Sequence, residues 1–112
     1  MAQPHDLFSH RLARLREELQ DLAARQQSTQ RPVELDQSRI GRLSRADAMQ
    51  AQAMSQAVAR RREEAIRRID AALDRLRDGE FGFCVRCGEP IDMARLERDP
   101  ATPYCVACAR DA

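Results

Sequence analysis

The chain has 112 residues, of which 33% are charged and 43% hydrophobic, but only 4% are aromatic. This scarcity of large side chains argues against a thick globular core. The charged fraction, with abundant Ala, Leu, Arg and Glu before residue 80, is typical of long helices rather than of a sandwich or a doubly wound sheet. The net charge of +1 argues against a strongly basic nucleic-acid surface.

The N-terminal sequence lacks the apolar segment of a secretory signal and carries acidic residues early. No apolar run is long enough to span a bilayer. These features predict a cytoplasmic protein. In a reducing cytosol, paired cysteines are metal ligands more often than disulfides.

An apolar pattern near the N-terminus predicts a first helix that pairs with a second one, since its positions alternate steps of four and three residues. Asp6 can cap the start of this helix. The pattern fades near Gln30, and Pro32 disfavours helix in the residue before it, which predicts a turn. The apolar positions are Phe8, Leu12, Leu15, Leu19 and Leu22.

A second apolar pattern, over residues 40–76, repeats about every 3.6 residues and predicts one long helix of roughly 50 Å. Its start has two alternatives. Asp36 caps it early, with Gly41 inside the helix, or Ser44 caps it late, with Asp47 completing a capping box.

The short polar connector folds the second helix back on the first, which predicts an antiparallel helical hairpin, or coiled coil, with its tip near residues 31–47. The first helix is too short to cover all of the second. The apolar face at residues 66–76 therefore needs the cysteine module, an N-terminal overhang or another chain as its cover. Gly79 ends the long helix. The chain thus divides into a hairpin, residues 1–79, and a small module, residues 80–112.

All four cysteines lie in this module, as two Cys-x-x-Cys pairs that 17 residues separate. Such pairs predict a tetrahedral zinc site, and full ligation leaves the metal no open position for catalysis, so we expect a structural zinc. We also expect a protein that is not an enzyme. A rubredoxin-like iron site and a thiol redox switch use the same residues. Gly88 supplies a positive φ to the first pair, and the second pair continues into a short helix. The predicted ligands are Cys84, Cys87, Cys105 and Cys108.

Most charged residues outside the cysteine pairs are explained by a solvent-exposed surface. Arginines 60–62 precede Glu63 and Glu64, which is typical of a solvated helix face with ion pairs three or four residues apart. Acidic and basic residues nearly balance in the module, which disfavours direct DNA binding. Asp47 falls on the apolar stripe, where it either caps the helix or faces a partner.

The hairpin pattern and three stretches of the module, FGFCVRCGEPI, ARLERDP and YCVAC, are specific in combination. Over roughly residues 40–110 the chain resembles the TraR/DksA family of bacterial RNA polymerase-binding transcription factors. The resemblance implies a structural zinc finger and a hairpin that enters the secondary channel of RNA polymerase, with its tip near the active site. It also implies that the protein does not read promoter DNA.

The resemblance extends to particular residues at the tip. The acidic tip motif of the family, Asp-x-x-Asp-x-Ala, falls on Gly41, Ser44 and Ala46, so the alanine is kept and both aspartates are absent. Asp36 or Asp47 can supply a carboxylate from a shifted position. The expected partner-binding residues are Asp36, Arg39, Arg42, Ser44, Arg45, Ala46 and Asp47.

Some family members also bind guanosine tetraphosphate together with the polymerase, through basic residues on the later part of the long helix and after the last cysteine. Arg61 and Arg68 match those positions, and Arg110 lies beside Ala109, where a basic residue is expected. These three arginines are the candidate effector residues.

Two alternative functions stay open. The protein could instead be a zinc-stabilised coiled-coil adaptor or a thiol redox sensor, and neither of these acts on RNA polymerase.

Overall fold

The structure is a computed structural model that describes residues 4–29 and 42–111, with side chains described for residues 6–26 and 45–111. Within these ranges the chain forms helices α1 (Pro4–Thr29), α2 (Arg42–Arg77), α3 (Met93–Arg98) and α4 (Val106–Arg110). The predicted mainly helical fold is confirmed. In this part of the chain no helix is both long and apolar enough to cross a membrane.

Two of the predicted helix starts differ from the structure. Asp6 lies inside the first turn of α1 instead of preceding it, because the helix begins at Pro4, a residue preorganised for the first helical position. Its carboxylate still favours the positive end of the helix dipole. The late start capped by Ser44 is wrong, because α2 already includes Arg42. The early start capped by Asp36 lies outside the described residues.

Polar contacts between α1 and α2 define an antiparallel hairpin. Arg16 Nε donates to Asp70 Oδ1 at 2.6 Å, and Arg62 Nη1 donates to Gln26 Oε1 at 2.9 Å. Residue numbers rise along α1 as they fall along α2, so the helices run in opposite directions. The same register places the end of α1 level with about residue 58, and the first part of α2, residues 42–57, extends about 24 Å further.

The core lies at the opposite end of the hairpin, where both helices meet the cysteine module. Leu12 is completely buried there. The module is held by an aromatic contact, with the Phe8 and Phe81 ring centroids 5.2 Å apart, and by Arg11, which donates to the carbonyl oxygen of Glu97. The buried apolar residues are Phe8, Leu12, Ile69, Ala72, Leu76, Cys84, Ile91, Leu96 and Ala101.

This core answers the question of what covers residues 66–76. Both α1 and the cysteine module of the same chain cover that face. In the described residues, the part of α2 that reaches past α1 is the N-terminal part instead, toward the tip. Of the three covers that the sequence left open, the cysteine module is therefore the one observed, and this face needs no second chain. Not every apolar position of α1 is buried: Leu15 and Leu22 are exposed, because two helices bury only the strip between them.

A glycine ends α2 as predicted. Gly79 has a φ of 74° and donates from its backbone N–H to Leu76 at 3.4 Å, while Glu80 donates to the carbonyl of Arg75 at 2.8 Å. This pair of bonds is a Schellman motif, which satisfies carbonyls that the helix itself leaves open. The motif fixes the direction in which the chain leaves the helix and enters the module.

We expect Gly79→Ala to lower the free energy of unfolding by about 1 kcal/mol, because an L side chain resists the left-handed conformation. No other atom lies within 4 Å of the new Cβ, so no clash adds to this strain. Gly79→Asn is the matched control, since asparagine tolerates that conformation. Urea unfolding of the zinc-loaded protein measures both, and equal losses would contradict a conformational cause.

Candidate metal centre

The first Cys-x-x-Cys pair forms a tight knuckle. The backbone N–H of Cys84 donates to the Glu89 carbonyl at 2.8 Å, and the N–H of Gly88 donates to the Cys84 carbonyl at 2.9 Å. Gly88 has a φ of 78°, as the sequence predicted, and an isolated antiparallel bridge between Phe83 and Pro90 closes the loop. These bonds turn the chain sharply, so that the side chains of Cys84 and Cys87 lie on one side of it.

The second pair begins a helix, which confirms that prediction. Cys105 precedes α4, and its carbonyl accepts from the N–H of Ala109 at 2.9 Å. Two contacts place this segment against the first knuckle. The N–H of Val85 donates to Pro103 at 2.9 Å, and Arg95 Nε donates to the Tyr104 carbonyl at 3.0 Å. The two pairs therefore face each other across a small gap.

The four sulfurs lie within 4.8 Å of one another, and the Sγ atoms of Cys87 and Cys105 are 3.8 Å apart. All four are free thiols. A tetrahedral zinc ion with bonds of about 2.3 Å separates its sulfur ligands by about 3.8 Å. The arrangement thus fits a zinc ion, and soft thiolate ligands favour such an ion over hard cations.

Hydrogen bonds from backbone amides favour the thiolate form of one cysteine, Cys84. Desolvation raises the pKa of the Cys84 thiol, but backbone amides of Cys105, Cys87 and Arg86 donate to its sulfur and lower that pKa to about 6. The Cys108 thiol differs, because its hydrogen bond with Cys105 and its desolvation raise its pKa to about 12. Four adjacent thiols cannot all ionise easily without a cation among them, which is what a bound zinc supplies.

The predicted tip residues are only partly covered by the structure. Asp36 and Arg39 lie outside the described residues. Arg42 and Ser44 lie in the first turn of α2, without described side chains. The side chains at the next three positions are all exposed. These positions are Arg45, Ala46 and Asp47.

The three candidate effector arginines have different surroundings. Arg61 is exposed on α2, and Arg110 is exposed at the end of α4. Arg68 is half-buried, and its Nη2 pairs with Asp99 Oδ2 at 2.9 Å. An anion at Arg68 would have to compete with this carboxylate. The role of the three residues in binding a nucleotide stays a prediction from the resemblance.

Sequence reasoning missed the contacts that join the hairpin to the module. Arg11 reaches the carbonyl of Glu97, and Arg68 reaches Asp99. Arg62, which was interpreted as part of a solvated face, contacts Gln26 across the hairpin. No local pattern marks these residues, because each partner lies more than 30 positions away and many other charged residues are equally available.

Comparison with known proteins agrees with this geometry. The sequence model of the prokaryotic dksA/traR C4-type zinc finger matches residues 79–112. The RNA polymerase-binding transcription factor DksA of Caulobacter vibrioides is 46% identical over 46 residues, which are 41% of this chain and 32% of that protein. The match thus spans about a third of the length of this curated relative. The module is a C4-type zinc finger with a structural zinc.

Two solved structures share the fold over a longer stretch. The transcription factor DksA2 from Pseudomonas aeruginosa superposes with a TM-score of 0.79 at 27% identity, covering 96% of this chain and 81% of that one. The solution structure of DnaK suppressor protein from Agrobacterium tumefaciens gives a TM-score of 0.63 at 24% identity, covering 100% and 96%. The second likeness concerns the fold alone. Both extend the similarity from the zinc finger to the hairpin.

Proposed function

We propose that the chain, which carries the dksA/traR C4-type zinc finger and shares the fold of DksA2, is a member of the DksA/TraR family. In this proposal it regulates transcription by binding RNA polymerase through the secondary channel, with its hairpin tip near the active site. The observation that carries the proposal is the fold, which matches DksA2 of Pseudomonas aeruginosa over 96% of this chain. The curated relative from Caulobacter vibrioides, whose name states that it binds RNA polymerase, adds the partner.

The shape of the hairpin supports the proposed insertion. Two packed helices are about 20 Å across. In the described residues, the N-terminal end of α2 projects about 24 Å beyond the C-terminal end of α1. Exposed side chains cover this projection: Met49 is 71% exposed and Met54 is 65% exposed. Exposed methionines adapt to varied partner surfaces. The projection is therefore a slender probe with a surface available for contacts.

The base of the hairpin supports a different task, that of holding the probe at a fixed angle. The Arg68–Asp99 ion pair and the bond from Arg11 to Glu97 tie α2 and α1 separately to the module. The shared core adds an apolar contact between the same parts. The module thus acts as a platform from which the hairpin projects.

Binding is tested with purified full-length protein and bacterial RNA polymerase. We expect binding at micromolar concentration or tighter, and displacement by the DksA protein of Caulobacter vibrioides. A variant with Gly41→Asp and Ser44→Asp, which introduces the two aspartates of the family motif, should bind equally well and change the lifetime of the open promoter complex. Absence of binding by both proteins would contradict the proposal and leave only a shared fold.

The direction of insertion is tested with a photoreactive amino acid. We expect a probe that replaces Met49, on the projecting end of α2, to cross-link to polymerase residues that line the secondary channel. A probe that replaces Val106 on α4 is the matched control, because that side chain is also exposed but lies in the zinc finger. Channel cross-links from Val106 and none from Met49 would reverse the proposed orientation.

A further inference from the structure

Arg75, near the end of α2, is a half-buried cation in an unfavourable position. Burial lowers the pKa of Arg75, and the positive charge of Arg68 lowers it further. Across the described residues 45–111, Arg67, Arg68 and Arg77 on the same helix each pair with a carboxylate, whereas Arg75 has none within 4.0 Å. Burying a cation without such a partner costs free energy. The position therefore calls for another source of negative charge.

The surroundings of Arg75 contain that source. Arg75 lines a cavity of about 350 Å³ together with the first cysteine knuckle, including Cys84 and Gly88. Glu80 also lines this cavity but forms no ion pair with Arg75. Cys84 is the most buried of the four ligands, with 3% of its surface exposed. A zinc ion bound by four thiolates carries an excess of two negative charges. Arg75 and the ligand Cys84 thus line the same small volume, in which a bound zinc tetrathiolate would add negative charge.

We propose that Arg75 is a positioning residue for the zinc centre, whose positive charge stabilises the zinc tetrathiolate from the end of α2. Bound zinc and Arg75 then support each other: the negative centre offsets the buried cation, and the cation slows the loss of a ligand. Groups just outside the ligand shell contribute in this way to metal affinity at other sites. The proposal concerns the zinc finger itself and does not depend on binding to polymerase.

The first test measures the rate of zinc release from the full chain into an excess of chelator. Arg75→Met keeps the unbranched stem and removes the charge, and we expect release about tenfold faster or more, as for other residues beyond the ligand shell. Arg75→Lys, which keeps the charge, should stay within about threefold of the wild type. Arg77→Met is the matched control, because that side chain is 70% exposed and pairs with Asp74, and its rate should not change.

Equal rates for Arg75→Met and Arg77→Met would overturn the proposal. Equally fast release from Arg75→Lys and Arg75→Met would also overturn it, since shape rather than charge would then matter. If Arg75→Met does not fold when loaded with zinc, Arg75→Gln replaces it with the same expected outcomes. Far-UV circular dichroism of the zinc-loaded proteins shows whether each variant folds.

A second measurement separates charge from packing. In the cobalt-substituted protein, loss of a neighbouring cation makes the thiolates more electron-rich and shifts the thiolate-to-cobalt charge-transfer band to lower energy. We expect this shift in Arg75→Met and not in Arg75→Lys or Arg77→Met. A band at the same energy in all four proteins would show that Arg75 does not act on the sulfurs.

Discussion

Removal of zinc is expected to unfold the base of the hairpin together with the cysteine module. Zinc binding contributes about 10–16 kcal/mol in small fingers, which is as large as the whole stability of a typical domain. The core continues without a break from Cys84 to Leu12 on α1 and Leu76 on α2, and Cys105 and Cys108 pack against it. Loss of the ion therefore removes one wall of the only core that the described residues form.

Hydrogen exchange after strong chelation measures this result. We expect amides of α1 at residues 8–19 and of α2 at residues 66–77 to lose protection along with residues 81–111, and helicity to fall. Residues 45–54, in the projecting part of α2, are already exposed and should change little. Addition of zinc should restore protection throughout. Full protection of the α2 segment after chelation would show that the hairpin is stable without the module.

Leu12→Ala is expected to be the most damaging substitution in α1. Leu12 is 0% exposed, and its side chain is the largest fully buried one in the described residues. Truncation of such a side chain costs about 2–5 kcal/mol, because it removes apolar contacts and leaves a cavity. The position lies where α1, α2 and the module meet, so the cavity would weaken all three contacts at once.

Chemical denaturation of the zinc-loaded protein measures this loss. Leu22→Ala is the matched control, since Leu22 belongs to the same predicted seam on α1 but is 46% exposed. Its cost should be about 0.5 kcal/mol. Comparable losses for the two variants would mean that the seam is buried evenly and that the core does not concentrate at the base of the hairpin.

The sequence by itself determined the features that depend on neighbouring residues. Apolar periodicity predicted both long helices, and the positive φ values of Gly79 and Gly88 followed from their places at a helix end and in a cysteine knuckle. The spacing of the cysteines predicted the zinc site, because each Cys-x-x-Cys turn positions its own two sulfurs locally. The proposed function came from a resemblance in longer stretches of sequence, which no single pattern of this kind would have supplied.

Tertiary structure alone decided which residues meet over long distances along the chain. Arg11 and Glu97 are 86 positions apart, and Arg16 and Asp70 are 54 apart. With 19 basic and 18 acidic residues available, charge complementarity permits many pairings, and only the packed register selects among them. Which apolar residues are buried was likewise decided by tertiary packing. Leu12 and Leu22 both belong to the apolar pattern of α1, but the module covers only the base of the hairpin, so one is buried and the other is exposed.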